Sequence, residues 1–241
     1  MKMKKVVKLF DIGNVCVVGL RGKGKDMLFG NVIARRAIPY VSNTDYNTPK
    51  AEYTRFELDK LDCGGNTYVN FLDDNIKPYT YPYDVGVDIY VADAGIYFPA
   101  HYCNELNKRY PYFPTFMALS RHLGECNVHF NVQNLNRVWD KIREQSDTYI
   151  MCRRCIVLFG KIVIQQIRIY EKYQSCVDRV PPFRMKRPLF NREAKAQIDI
   201  ARQKYECSYG EVKSGILLYW NKTKYDTHIF REILKNGKEK A

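Results

Sequence analysis

The sequence predicts an α/β protein with a mostly parallel central sheet between two helical layers, and three observations carry that reading. Short β-branched or apolar runs alternate with helix-like stretches across the first 150 residues. The first of these runs breaks into a glycine-rich turn that gives way at once to a helical pattern. From residue 156 onward, apolar and polar residues alternate as they do in an antiparallel β-ribbon.

The elements follow in order. Val15-Cys16-Val17-Val18 reads as a buried strand; Gly19-Leu20-Arg21-Gly22-Lys23-Gly24-Lys25 ends it, and residues 27–36 read as a helix. Residues 37–42 (AIPYVS) resume as a strand, so the first 42 residues form a βαβ unit whose parallel strands need a helical crossover. Residues 43–85, rich in Asn, Asp, Tyr and Gly, show no sustained period and read as surface connection, with one helix-like patch at 68–75. Residues 85–92 (VGVDIYVA) form a further buried strand running into Asp93. Helices are expected at 99–108, 115–123 and 135–146, and strands at 127–132 and 148–151. Beyond them, IVLFG and KIVIQQIRIYE form the ribbon around Gly160, Pro181-Pro182 breaks the chain, and residues 192–207 read as a helix. The expected division is a core of residues 1–155 and a basic β-ribbon and helical extension of residues 156–241.

Charge follows the same division. The chain carries 39 Lys and Arg against 26 Asp and Glu, a net charge of +13. Residues 1–150 hold 19 basic and 17 acidic side chains, whereas residues 151–241 hold 20 and 9, so the excess sits at the C-terminal end. A polyanionic partner, DNA first among them, is the natural match, with Arg184, Lys186 and Arg187 as the basic cluster that contacts its phosphates. At 46% apolar residues the chain can bury a core, which excludes a disordered tail. No apolar run approaches the ~20 residues of a membrane helix, and the basic start MKMKKVVKLFD lacks a leader's cleavage site, so no integral membrane segment is expected. The eight cysteines are expected to be reduced, as in a cytosolic protein.

The motif with the sharpest chemistry is Gly19, four residues, then Gly24-Lys25-Asp26, which fits the Walker A pattern in its required context of strand, loop and helix. Gly19, Leu20, Arg21, Gly22, Lys23, Gly24, Lys25, Asp26 and Met27 would wrap the phosphates of ATP, with Lys25 reaching the terminal ones. Asp26 stands where Ser or Thr ordinarily offers magnesium a hydroxyl. Asp93, at the end of its strand, matches a Walker B aspartate, so Asp26 and Asp93 are the expected Mg2+ ligands. Many such motors follow that aspartate with a glutamate; here Ala94 follows. Cys152-Arg153-Arg154-Cys155 has no second pair at zinc spacing and reads as strand cysteines, and His129 reads as a structural histidine within its strand.

These segments, with Ser120-Arg121-His122-Leu123-Gly124, the following NVHFNVQN, Val138-Trp139-Asp140-Lys141-Ile142-Arg143 and YDTHIF near Tyr225, resemble the zonula occludens toxin (Zot)-like P-loop ATPases of filamentous phages, part of the wider FtsK/HerA group of DNA-translocating motors. The likeness covers most of residues 12–170. It implies a three-layer P-loop NTPase acting as an ATP-driven motor in viral DNA packaging, translocation or virion assembly, working as a homo-oligomer such as a hexameric ring. It further implies that Lys25, Asp93, Gln133, Arg121 and Arg143 form the catalytic set: Gln133 as a sensor at a strand end, and the two arginines as groups that reach a neighbouring subunit's phosphate. Phage-assembly members add a membrane helix and a distal domain that this sequence does not show, so the expected location is the cytoplasm, a host's if the protein is viral, or the virion. Asp26 and Ala94 depart from the usual motifs and support an alternative, a hydrolysis-impaired nucleotide-binding or structural component of a viral assembly.

Overall fold

The computed structural model describes residues 1–62, 82–123, 125–171 and 213–223. These contain eight strands: β1 (Val15–Val18), β2 (Tyr40–Ser42), β3 (Tyr53–Arg55), β4 (Asp88–Val91), β5 (Val128–Val132), β6 (Thr148–Leu158), β7 (Ile162–Tyr170) and β8 (Lys213–Trp220). All join one sheet in the order β3-β2-β4-β5-β1-β6-β7-β8. Strands β3 through β6 run parallel, and β7 and β8 are added antiparallel at one end. The α/β class and the ribbon read from the sequence are therefore both present.

Parallel strands must be covered on both faces, and the burial of β1 shows why its sequence is apolar throughout. Val15 and Val17 join one core with Met3, Val6 and Phe10 of α1 (Met3–Ile12) and Leu28, Phe29 and Val32 of α2 (Lys25–Arg36). Cys16 and Val18 join the other, with Leu61 of α3 (Leu58–Asp62), Leu106 of helix Cys103–Arg109, and Phe113, Phe116 and Met117 of helix Phe113–Leu123. Each fully buried Leu, Val or Phe contributes about 1.5–3 kcal/mol relative to exposure. Three layers result.

Several local expectations are corrected. The basic start, to which the sequence reading assigns no element, carries α1, whose Met3, Val6 and Phe10 recur at helical spacing and turn Lys4, Lys5 and Lys8 outward. The Met1 ammonium donates to the Ile216 carbonyl of β8 at 2.8 Å, which ties the N-terminus to the ribbon. Part of residues 43–62 is structured as β3 and α3. The expected helix at 135–146 is a 3-10 turn, Leu135–Arg137, and one helical turn, Asp140–Arg143. The chain is extended between them because Val138 bridges Pro99 and the Trp139 amide donates to the Phe98 carbonyl at 2.8 Å. Strand β6 runs on through Leu158 across residue 155, so ribbon and core share one sheet. The helix-like patches at 68–75 and 192–207, and the segment at Tyr225, lie outside the described residues.

One buried polar cluster locks the sheet to both helices of the α1/α2 layer. Arg36 of α2 pairs with Asp88 of β4, bonds the Tyr90 hydroxyl at 2.8 Å and pairs with Asp11 at 3.0 Å. The Val15 amide donates to His129 Nδ1 at 3.2 Å, which leaves the ring proton on Nε2, 3.2 Å from Asp88 Oδ2. His129 thus has the structural role its strand position suggests. Burial pushes its pKa below the ordinary histidine value in spite of Asp88. Burial would raise the Asp88 carboxyl, but His129 and Arg36 reverse that and hold it below the usual range.

Candidate nucleotide-binding site

The site begins where β1 ends. Gly19 is buried and donates its amide to the Val132 carbonyl of β5 at 2.9 Å, which aligns the loop with the ends of two neighbouring strands. A Cβ at Gly19 would meet Cys152 at 3.1 Å, so the loop lies directly against β6. Leu20, Arg21 and Gly22 are exposed, while Lys23, Gly24, Asp26 and Met27 are half-buried. Gly22 and Gly24 have φ of 75° and 80°, the left-handed region that glycine enters at no steric cost. Gly24 is the N-cap of α2 and supplies no side-chain cap, so a phosphate can take the role of capping the first-turn amides.

At the start of α2 the structure brings three sequence-predicted residues together. The Lys25 ammonium, its side chain only 6% exposed, lies 2.6 Å from Asp93 Oδ1 and 3.1 Å from Asp26 Oδ2. Burial alone would lower the Lys25 pKa; the carboxylates of Asp26 and Asp93 more than reverse this and raise it. Asp93 follows β4 in the left-handed conformation, φ 47°, uncommon for a residue with a side chain. Its approach is fixed by Asn43, whose side chain takes the Ala92 amide at 2.7 Å and donates to the Ala92 carbonyl at 2.9 Å.

Two residues that sequence reasoning missed complete the site. Asn131 of β5, fully buried, accepts the Asp93 amide at 2.9 Å and donates to Asp26 Oδ1 at 2.9 Å, joining the two motifs across the strand that separates β1 from β4. Gln165 of β7 donates to the carbonyls of Gly24 at 2.9 Å and Lys23 at 3.3 Å, while its own oxygen accepts from Tyr219 at 2.8 Å. Gln165 carried a sequence signal, since it falls in the inward row of β7 between Val163 and Ile167, whereas Asn131 is one of two polar residues in β5 and its burial shows only in the fold.

The other sequence-predicted residues divide. Gln133 is exposed just after Val132, beside the loop. Arg121 lies at the opposite end of the parallel strands, 3.1 Å from Asn127 Oδ1 and 3.8 Å from Asp147, near the residues that lead into β5 and β6. Arg143 also lies toward that end, beside the start of β6, where its carbonyl accepts the Tyr149 hydroxyl at 2.6 Å. The fold therefore brings neither arginine to its own phosphate loop. Arg184, Lys186 and Arg187 lie outside the described residues. Cys152 and Cys155 are free thiols packed against Gly19 and Gly24, and burial raises both their pKa values.

Donor chemistry fits a magnesium nucleotide. Two carboxylates beside an uncapped helix N-terminus are the usual protein share of a Mg2+ shell, the remainder coming from phosphate oxygens and water. Strand, glycine loop and helix, with the loop lysine meeting an aspartate at the end of a second parallel strand, define a P-loop NTPase-like α/β fold.

Among solved structures, the chain is similar to the N-terminal domain of zonular occludens toxin from Neisseria meningitidis, with a TM-score of 0.46 and 12% identity over 91% of this chain and 97% of that one. It is also similar to the genome packaging NTPase B204 of Sulfolobus turreted icosahedral virus 2 in complex with AMPPCP, at a TM-score of 0.39 and 16% identity over 58% and 74% of the two chains. A third similar structure is the ATPase DotB of Legionella pneumophila, with a TM-score of 0.35, 10% identity, and 85% and 58% coverage. No family model and no curated protein matches the sequence. Among the described residues no helix is long and apolar enough to cross a membrane.

Proposed function

We propose that the protein is an ATP-binding P-loop motor that acts on DNA in viral genome packaging, translocation or virion assembly, as a homo-oligomer in the host cytoplasm or the virion. One observation carries the nucleotide half of this reading: Lys25 of the glycine loop and Asp93 of β4 meet at 2.6 Å, with Asn131 tying Asp93 to Asp26. Such a cluster positions a cation and two hard oxygen ligands at an uncapped helix start, as a nucleoside triphosphate and its Mg2+ require. Bound Mg2+ would neutralise charge on the phosphates. Asp26 and Asp93 would hold it, Lys25 would turn from Asp93 toward phosphate oxygens, and Gln133 would face the terminal phosphate from the end of β5. The +13 net charge supports the DNA half.

A specific observation favours a second reading, nucleotide binding with little hydrolysis. Ala94, where many motors have the glutamate that polarises water, is fully buried within the core. A longer side chain there would have to leave the core before it could reach the site. Measuring ATP turnover with and without DNA separates the two readings. DNA-stimulated turnover supports the motor, tight ATP binding with negligible turnover supports the second reading, and absence of ATP binding overturns both.

A further inference from the structure

The Cys152-Arg153-Arg154-Cys155 segment has a second face that the nucleotide site leaves unused. The register of β6 against β7 slips between Cys152 and Arg154, so Arg153 is an extra residue in the strand. Bulges of this kind re-aim side chains. Here the bulge lets both cysteines, three residues apart, pack against the phosphate loop while the arginines between them emerge elsewhere. Arg154 pairs with Gln166 of β7, and Gln166 pairs with Ile216 of β8. Gln165 is buried against the loop carbonyls, so alternation along the strand sends Gln166 to the opposite face, where it is exposed together with Arg154. A cavity of about 430 Å³ opens there, lined among the described residues by Arg153, Arg154 and Gln166.

We propose that this cavity binds the backbone phosphates of a single nucleic-acid strand that runs along the outer face of the ribbon. This rests on the nucleic-acid partner proposed above and gives that partner a surface. The exposed Arg154 guanidinium presents a planar, permanently charged donor fork suited to phosphate oxygens, and the Gln166 amide adds a donor. The same face carries an aromatic platform. Ser214, Ile216, Leu218 and Trp220 alternate outward along β8, and Trp220, 59% exposed, stands four residues from Ile216, about 14 Å at the ~3.4 Å rise of a strand. Phe159, at the tip of the β6–β7 turn, is 92% exposed. A cationic site on the same ribbon as exposed aromatic rings holds an unpaired strand, with a phosphate on Arg154 and bases stacked on the rings. Free phosphate would use Arg154 alone and gain nothing from Trp220.

The test uses the full chain and a fluorescently labelled thymidine oligonucleotide, with anisotropy read across a salt series. Arg154→Glu should weaken binding at least tenfold and lower the salt slope by about 0.7 for each single-strand phosphate that is no longer neutralised. Trp220→Ala should weaken binding several-fold with the slope unchanged. Lys108→Glu, an equal charge change on an exposed site of helix Cys103–Arg109, should alter affinity less than threefold. Binding of a fluorescent ATP analogue at the parent's affinity shows each variant to be folded. If Arg154→Glu has no larger effect than Lys108→Glu while the parent binds the oligonucleotide, the surface is wrong and the proposed function stands. Displacement of the oligonucleotide by equal concentrations of inorganic phosphate, with Trp220→Ala silent, makes this a free-phosphate site and also overturns the inference. A parent that binds the ATP analogue but no oligonucleotide overturns the inference together with the DNA half of the proposed function.

Discussion

Replacing Lys25 with methionine keeps most of the side-chain volume and removes the charge at the centre of the site. A lysine in an empty phosphate loop is expected to face solvent and to be dispensable for folding. In the structure it is buried and paired with two carboxylates at 2.6 and 3.1 Å, so the substitution has a structural consequence as well. Losing hydrogen bonds between charged groups costs about 1.5–3 kcal/mol each, and stranding a fully buried charge costs about 3–5 kcal/mol. Asp93 is 38% exposed and Asp26 keeps its bond from Asn131, so water and the amide offset much of that loss. The expected destabilisation is therefore about 1–3 kcal/mol, visible as a lower urea midpoint with an unchanged slope. For nucleotide, the same ~1.5–3 kcal/mol lost at the phosphates corresponds to roughly 10–150-fold weaker binding. Anisotropy of a fluorescent ATP analogue and urea denaturation followed by circular dichroism read the two effects separately. A folded Lys25→Met protein that binds the analogue within threefold of the parent would refute the phosphate-loop assignment, and an unchanged urea midpoint would refute the ion-pair argument.

Two further outcomes follow from the geometry. Gly24→Ala combines a φ of 80° with a Cβ only 2.6 Å from Cys155 Sγ, so strain of about 1–3 kcal/mol adds to a collision; Gly24→Ala/Cys155→Gly should recover the part due to the collision, and a urea midpoint no higher than that of Gly24→Ala would show that β6 does not bound the loop. His129 has a lowered native pKa, so below the unfolded value of about 6.5 the unfolded chain binds a proton that the native state refuses. Stability should fall as pH drops below about 6.5, by up to ~1.4 kcal/mol per pH unit, and Asp88, whose pKa is depressed, adds a further loss at more acidic pH; urea midpoints between pH 7 and 5 should show this slope in the parent and a flatter one in His129→Gln, and equal slopes would contradict the cluster's role.

Local constraints were the legible part. The strand before Gly19, the turn glycines and the helix from Lys25 each follow from backbone chemistry within a dozen residues, and Asp93 is marked by the apolar run that it ends. Asn131 was not readable in the same way, because its role exists only once β5 lies between β1 and β4, an order set by pairing between distant segments. The position of Arg121 is a related case. A sequence shows that Arg121 closes a helix but not which end of the strands that helix reaches, and the answer is the end away from the loop of its own chain. Ala94, which opens the short helix Ala94–Tyr97, is likewise buried in one cluster with Phe98, Val138 and Trp139, residues from two separate stretches of chain.

The carboxylate at position 26 gains a specific consequence from its partners. Lys25 carries one positive charge between the carboxylates of Asp26 and Asp93, so this three-residue cluster carries a net negative charge at the start of α2. A hydroxyl at position 26 would leave lysine and aspartate balanced. Magnesium must therefore offset one more charge in this protein than in a site with threonine, and nucleotide affinity should depend on it more steeply. Asp26 is half-buried and, among the described residues, its cross-strand partner is the Asn131 amide, so threonine fits without reaching the core and can still accept that bond. Asp26→Thr should accordingly tighten binding of an ATP analogue in excess chelator, by about tenfold for one partly screened charge interaction worth ~1.4 kcal/mol, while the magnesium-saturated affinity moves much less. Titrations with and without Mg2+ measure both numbers. If the substitution shifts the two affinities by the same factor, the carboxylate does not act through magnesium, and its bond to Asn131 is then a structural tie between the two motifs.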